Sequence, residues 1–227
     1  MRESLQEKEN TSQGFKWKPL GEALTMICAD LHVHTFYSGD AHIPPRLIVE
    51  ELHAHPFLKA AAITDHDAIN GYFEAKRWAS DYADVIIIPG VEVSTFEGHL
   101  TILGITETPN RPLSLLEAVD FARENDAVII VAHPYRVMGI GDLARNIKAD
   151  AIETCNGRSS KKENKLAEEL AKSLNLPGVG GSDAHRREQL WTAYTEIDAS
   201  STDINDILAA IKHGKVKAVM HRQNNGR

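Results

Sequence analysis

Cysteine is scarce: Cys28 and Cys155 are the 2 in the chain. That is too few for a disulfide framework and suits a reducing, cytoplasmic setting. Long apolar runs are absent, and none approaches the roughly 20 residues of a membrane span. Residues 1–25 are polar and turn-rich, without the apolar segment of a secretory signal; they read as a flexible tail ahead of a single domain over 26–227. Positive charge is in deficit, with 25 Lys and Arg against 32 Asp and Glu for a net −7. Such a balance argues against general capture of long duplex nucleic acid. Repeats, low-complexity tracts and interdomain linkers are missing too. With 15 Gly, 9 Pro and 42% hydrophobic residues among 227, collagen-like and disordered chains are excluded and one well-cored domain remains. Histidine, by contrast, is plentiful at 11.

Short apolar runs alternate with amphipathic stretches. The runs cover 26–34, 59–66, 84–94, 99–105, 127–134, 150–157, 177–185 and 193–199. Several are unbroken and β-branched, as in strands buried on both faces. Pro44 and Pro45 open a helix that carries Ile48 and Leu52 and ends before Pro56. A second helix is expected over 114–125, and Leu166, Leu170 and Leu174 mark a third at fourfold spacing. Ile204, Ile207, Leu208 and Ile211 share one face of a last helix, with Gly214 as its C-terminal stop. Repeated strand–helix alternation implies an α/β fold built on a parallel sheet, open or closed into a barrel.

Nearly every apolar run ends in ionisable residues. These are His32 and His34 after the first, Asp65, His66 and Asp67 after the second, and Glu92 in the third. His99 opens the next run, His133 closes the fifth, and Asp183 and His185 close the seventh. In parallel α/β folds the strand ends meet at one edge, where ligands bind. The twofold period of a strand turns His32 and His34 toward one place, and Asp183 and His185 likewise. Each piece alone is weak: one His-x-His pair arises by chance in so histidine-rich a chain, and a lone Glu at a strand end often caps the next helix. The convergence of five strand ends is different. Burying so many polar and charged groups together costs several kcal/mol unless a cation joins them, so a site for divalent metals is expected. Three carboxylates (Asp40, Glu92, Asp183) against three divalent cations leave an excess of about +3, which suits a phosphate ester.

The motifs DLHVHT, TDHD, PGVEVS, VAHP and GSDAH, in this order, resemble those of the PHP (polymerase and histidinol phosphatase) family of metal-dependent phosphoesterases. The resemblance runs from about Met26 to about Ala199. It implies a distorted seven-stranded (β/α) barrel, similar to a TIM barrel, that holds two or three Zn, Mn or Fe ions. Carried over by residue, it implies one metal at His32, His34, Glu92 and Asp183, and a second shared through Glu92 with His99 and His133. It places a third at His66 and His185 with a carboxylate from the loop after the first strand. The family's usual position for that carboxylate is Gly39 here, so Asp40 is expected one residue on, with His42 as the substitute. The implied mechanism is attack on phosphorus by a hydroxide bridging the metals. Arg136, Arg158 and Arg186, just past the motifs, are the candidate phosphate clamps.

Asp30, Asp65 and Asp67 flank these positions and are candidates to orient them, with Asp67 favoured as the cap of the next helix. His53 and His55, two apart late in a helix, do not share a face and read as structural. Cys155 reads as a small buried apolar group. His213 reads as a partner of its helix's C-terminal dipole, and 161–165 as a solvated helical turn. About ten residues, 106–115, join the fourth run to the next helix, too few for the helical lid of some relatives, so an open site is expected. The expected substrate is a phosphorylated small molecule, a nucleotide or a short oligonucleotide end, with 5′→3′ exonuclease or nucleotide phosphatase activity. A histidinol-phosphate-like phosphatase is the alternative. Further off stand an amidohydrolase, which would want a bridging lysine at a strand end, and a non-catalytic metal-binding module.

Overall fold

A computed structural model describes residues 25–221. The remainder, including all but the last residue of the expected tail, lies outside the described residues. Thr25 itself opens the first strand.

The chain order is β1 (Thr25–Val33), α1 (Pro45–Ala54), β2 (Leu58–Ile63), α2 (Asn70–Ala79), β3 (Ile86–Ser94), β4 (His99–Leu103) and α3 (Leu115–Glu124). Then follow β5 (Val128–Val131), β6 (Ala151–Asn156), α4 (Lys161–Leu174), β7 (Gly178–Gly181), β8 (Ala193–Ala199), α5 (Ile204–Lys212) and β9 (Val216–Met220). Local chemistry sets most helix starts. Pro44 caps α1 with Pro45 in its first turn. Ser114 with Glu117, and Ser160 with Glu163, form reciprocal capping boxes on α3 and α4. Asp203 caps α5, His213 Nδ1 bonds the Ala209 carbonyl at its far end, and Gly214 follows at φ 68°.

The sheet holds nine strands in the order β7-β6-β5-β4-β3-β2-β1-β8-β9. This corrects the expected seven: β8 and β9 extend the sheet beyond β1 as an antiparallel pair. It also corrects the expectation of a parallel sheet, because β4 runs antiparallel to both β3 and β5. The turn 95–98 is too short for the crossover that a parallel connection needs, so β3 and β4 form a hairpin. That reversal brings the start of β4, His99, to the same edge as the end of β3.

The ends of the sheet meet in a nearly closed barrel. Asp183 donates its N–H to the His32 carbonyl at 2.7 Å, and His34 donates to the Ala184 carbonyl at 3.0 Å. Lower down, buried Thr195 of β8 ties to Gly180 of β7 through both the glycine N–H and carbonyl. One apolar cluster draws residues from each of β1 to β8 and is completed by Ile207, Ala210 and Ile211 of α5. Because Ile86, Val128 and Ala151 belong to it, α5 plugs the end where β3, β5 and β6 begin. The opposite end is left for chemistry. Outside the barrel, α1 and α2 pack over β1–β3, and α3 and α4 over β3–β6.

Candidate metal centre

At the open end, β1 changes its alternation. The β1–β2 register shifts between Asp30 and Val33, a bulge that lets Leu31 join the interior apolar layer while His32 and His34 both enter the polar cluster. Asp30 fixes this bend, accepting the N–H groups of His32 and Ser182. Burial pushes its carboxyl up to about 7 against those bonds. Asp65 accepts the Thr35 N–H and hydroxyl, which anchors the chain after His34. Asp67 is not the helix cap expected: α2 starts from Ile69 without a side-chain cap, and Asp67 instead accepts the Ser94 N–H at 2.9 Å.

Glu92 stands at the centre, fully buried, with five imidazoles on its two oxygens. Oε1 lies 2.9 Å from both His99 Nδ1 and His133 Nε2. Oε2 lies 3.1 Å from both His32 Nε2 and His34 Nε2, and 3.4 Å from His66 Nδ1. Asp183 Oδ1 approaches His34 at 3.5 Å, His185 at 3.4 Å and His32 at 3.9 Å. Asp40 Oδ2 is 3.0 Å from His185 Nε2 and 3.8 Å from His66 Nε2.

All nine expected metal residues are thus brought together. Their donor atoms form four groups, each within 4.8 Å: His34, Asp40, His66 and His185; His32, Glu92 and His133; His32, His34 and Asp183; and His66, Glu92 and His99. The grouping differs in detail from the expected partition, since His34 also joins the Asp40 group and His32 also joins His133. His42 stays outside: its side chain is exposed, and only its backbone N–H reaches His185, at the carbonyl. The register needed a one-residue step from Gly39 because Gly39, at φ 82°, closes the short 3-10 turn 36–38 and delivers Asp40 beyond it.

Protonation differs across the cluster. Burial opposes charge on His32, but Glu153, Glu92 and Asp183 hold it well above the usual histidine range. Burial pushes His34 down to about 4. Glu92 and Asp183 resist burial and stay ionised through their histidines. His32 Nε2 and His34 Nε2 face each other at 3.0 Å, where only one can donate. The Nδ1 atoms of His66 and His133 are buried without a hydrogen-bond partner. Ionised carboxylates among convergent imidazole nitrogens form a donor set that fits divalent cations.

Two arginines flank the cluster, with different partners. Arg136 contacts Asp183 Oδ2 and donates to Asn156 Oδ1 at 3.3 Å. Arg158 donates to Asp183 Oδ1 at 3.4 Å and to His185 Nδ1 at 2.8 Å. Both line the groove of about 190 Å³ over the site, whereas Arg186 is exposed and does not.

Sequence reasoning missed three supports. Glu153, buried on β6, accepts His32 Nδ1–H with Oε1 and the His133 N–H with Oε2. Asn156 donates to both Glu153 and Asp183. Ser38 bonds His34 Nδ1 at 2.7 Å and the His66 N–H at 2.9 Å. The run AIETCN did end in polar residues like the other strands, and that was the available signal. His133 and Asp183 sit at φ 26° and 54°, disfavoured without glycine, so these bonds hold strained backbone in place.

A family model for the PHP domain matches residues 30–149, and one for a PHP-associated region matches 161–216. An uncharacterized protein of Methanocaldococcus jannaschii is 31% identical over 140 residues, covering 56% of this chain and 81% of that protein. Among solved structures, a two-domain Bacteroides vulgatus protein containing a predicted PHP-like metal-dependent phosphoesterase superposes with TM-score 0.75 at 19% identity. The match covers 88% of this chain and 66% of that one, just under two thirds of its length. The lesion-specific endonuclease of Pyrococcus furiosus gives TM-score 0.62 at 18% identity, covering 86% of this chain and 58% of that one. At such identities these structures speak to the fold.

Proposed function

The chain belongs to the PHP domain family, and on that premise we propose that it hydrolyses phosphate esters of nucleotides or short oligonucleotide ends with divalent metals. The observation that carries this reading is the Glu92 carboxylate shared among five imidazoles, with two arginines on the neighbouring Asp183. His32, His34, Asp40, His66, Glu92, His99, His133, Asp183 and His185 would hold two or three ions. Bound there, such ions supply Lewis acidity toward a phosphoryl oxygen and make water a nucleophile near neutral pH.

The chain's own groups supply orientation. Arg136 and Arg158 present guanidinium donors at the groove, where planar N–H pairs match the oxygens of a phosphoryl group. Asn156 keeps Asp183 aligned while the arginines turn to substrate. No helix intervenes between β4 and α3, which supports an open site that admits a chain end or a small ester. The net charge of −7 favours short substrates over long duplexes. No lysine lines the groove, which weakens the amidohydrolase reading. Among the described residues, no helix is long and apolar enough to cross a membrane.

The test is a hydrolysis panel on chelator-stripped protein resupplied with Mn²⁺, Zn²⁺ or Fe²⁺. It compares a nucleoside 3′,5′-bisphosphate, a 5′-phosphorylated short RNA or DNA, and histidinol phosphate. Metal-dependent release from the nucleotide substrates is expected, and release from histidinol phosphate alone would replace the proposal with the small-molecule phosphatase. Silence on all three would contradict it.

A further inference from the structure

The groove over the metal-ligating cluster holds about 190 Å³, against the roughly 300 Å³ at which pockets enclosing a whole drug-sized ligand begin. A phosphoryl group and the carbon chain next to it fill that space, so any bulkier part of a substrate must lie on the rim. The rim is not uniform. Two groove-lining residues, Val137 and Met138, are apolar and 86% and 51% exposed. Phe96, on the turn between β3 and β4, is 76% exposed.

These residues sit on two turns that abut. His99 donates its N–H to the Met138 carbonyl at 2.9 Å, and a Cβ on Gly98 would come within 2.6 Å of the same oxygen. The 137–138 turn is held on both sides, by Arg136 N–H to His133 O and Gly139 N–H to Arg136 O, each 2.9 Å. Met138 adopts φ 67°, a backbone state disfavoured for a residue with a side chain. The Met138 carbonyl serves the fold through His99, but the side chain is left displayed to water. Scattered apolar residues on a surface are ordinary, but three on two abutting turns, two of them lining the mouth of a site, are not.

The chemistry of the rim narrows what it receives. Thr95 Oγ1 is bonded within its own turn to Gly98, and Glu97 Oε2 accepts the Leu115 N–H. The polar side chains beside Phe96 are therefore occupied, and what the turns offer is dispersion contact. A thioether and branched methyls adapt to flat faces without reading hydrogen-bond patterns. The positive end of the site, Arg136 and Arg158, lies against Asp183. We propose that Val137 and Met138, with Phe96 on the abutting turn, form a shelf for the planar base of a nucleotide whose phosphoryl group lies in the groove. The shelf accepts any base. This rests on the phosphoesterase reading above and adds to it the residues that select an aromatic leaving side.

The experiment compares kcat/KM for four nucleoside 5′-monophosphates with that for glycerol phosphate, using Mn²⁺-loaded wild type and the double variant Val137→Ser/Met138→Gly. Both substitutions fall on exposed positions, and glycine is at ease at the Met138 backbone angle. Wild type is expected to prefer the nucleotides and to treat the four bases within about threefold of one another. The variant is expected to lose about tenfold of that preference, the scale of withdrawing apolar contact at one or two side chains. Phe96→Ala should lower it in the same direction by less. An undiminished preference in the double variant would overturn the shelf, as would a wild type that hydrolyses glycerol phosphate as well as nucleotides. Hydrolysis of neither ester by wild type would overturn the shelf, and silence on the 5′-phosphorylated oligonucleotide as well would sink the phosphoesterase reading itself.

Discussion

His32 Nδ1 donates to Glu153 Oε1 at 3.1 Å, joining residues 121 apart in sequence. The same carboxylate takes the backbone N–H of His133 on its other oxygen at 2.8 Å. One side chain therefore holds the ring of one cluster histidine and the strained backbone of another. Glu153→Gln keeps the shape and removes the charge. Metal affinity is expected to fall by about 10–100-fold, the usual consequence of losing a carboxylate behind a ligating histidine, with the melting temperature of the metal-free protein little changed. Titration of stripped protein with Zn²⁺ or Mn²⁺ checks this, and unaltered affinity would remove Glu153 from the account.

Asp40 and His42 compete on paper for one place, and only Asp40 faces His185 and His66. Asp40→Ala is expected to lower the number of metal equivalents retained by one, while His42→Ala retains the wild-type number. Elemental analysis of the two variants after identical loading decides between them. The reverse pattern would shift the ligand to His42.

Much of this centre was legible in the sequence because its residues end successive strands, and strand ends of one barrel converge. The exceptions have physical reasons. Glu153 lies three residues before the strand's end at Asn156, so its role shows only once β6 is set beside β1. Asp67 itself adopts φ 49°, and its side chain accepts from Ser94 rather than capping α2. Of α2 the sequence marks only that a helix follows Asp67, not its bounds, because the helix begins without a capping side chain and mixes Asn70, Glu74, Lys76 and Arg77 with its apolar face. The antiparallel β4 hid behind a run that reads like any buried strand, and β9 (Val216–Met220) is too weakly buried to give a pattern. Caps were the most readable feature, since Ser114, Gly214 and the Pro44–Pro45 pair act through local geometry alone.

Gly181 sits where the barrel closes. A Cβ there would lie 2.4 Å from His32 Cβ, 2.8 Å from His32 N and 3.0 Å from Glu153 Oε1. Gly181→Ala must therefore push β1 or Glu153 away. A loss of about 1–3 kcal/mol in unfolding free energy is expected, typical of overpacking, together with weaker metal binding. Denaturant unfolding of the metal-free variant measures the first quantity. A variant as stable as wild type would show that the closure is looser than described.

The α3 cap gives a pH dependence away from the histidine cluster. The Arg111 guanidinium and the Ser114 N–H and hydroxyl hold Glu117 down to about 2 from an ordinary 4.5. Its contribution to stability is therefore full above about pH 4.5 and is lost as the pH falls toward 2. Glu117→Gln should lower the melting temperature at pH 7, and the gap from wild type should narrow between pH 4.5 and 2. Ser114→Ala, which removes the other half of the box, is expected to cost about 1 kcal/mol at neutral pH. A gap that widens on acidification would contradict the assignment.

The most direct test of the central claim is phosphate-ester hydrolysis by stripped protein as Mn²⁺ is added back, in wild type, His32→Ala and Asp183→Ala. Hydrolysis of a 5′-phosphorylated oligonucleotide that is absent after stripping, restored in wild type and abolished in both folded variants is the predicted result. Activity that survives stripping, or that either variant keeps in full, would contradict it.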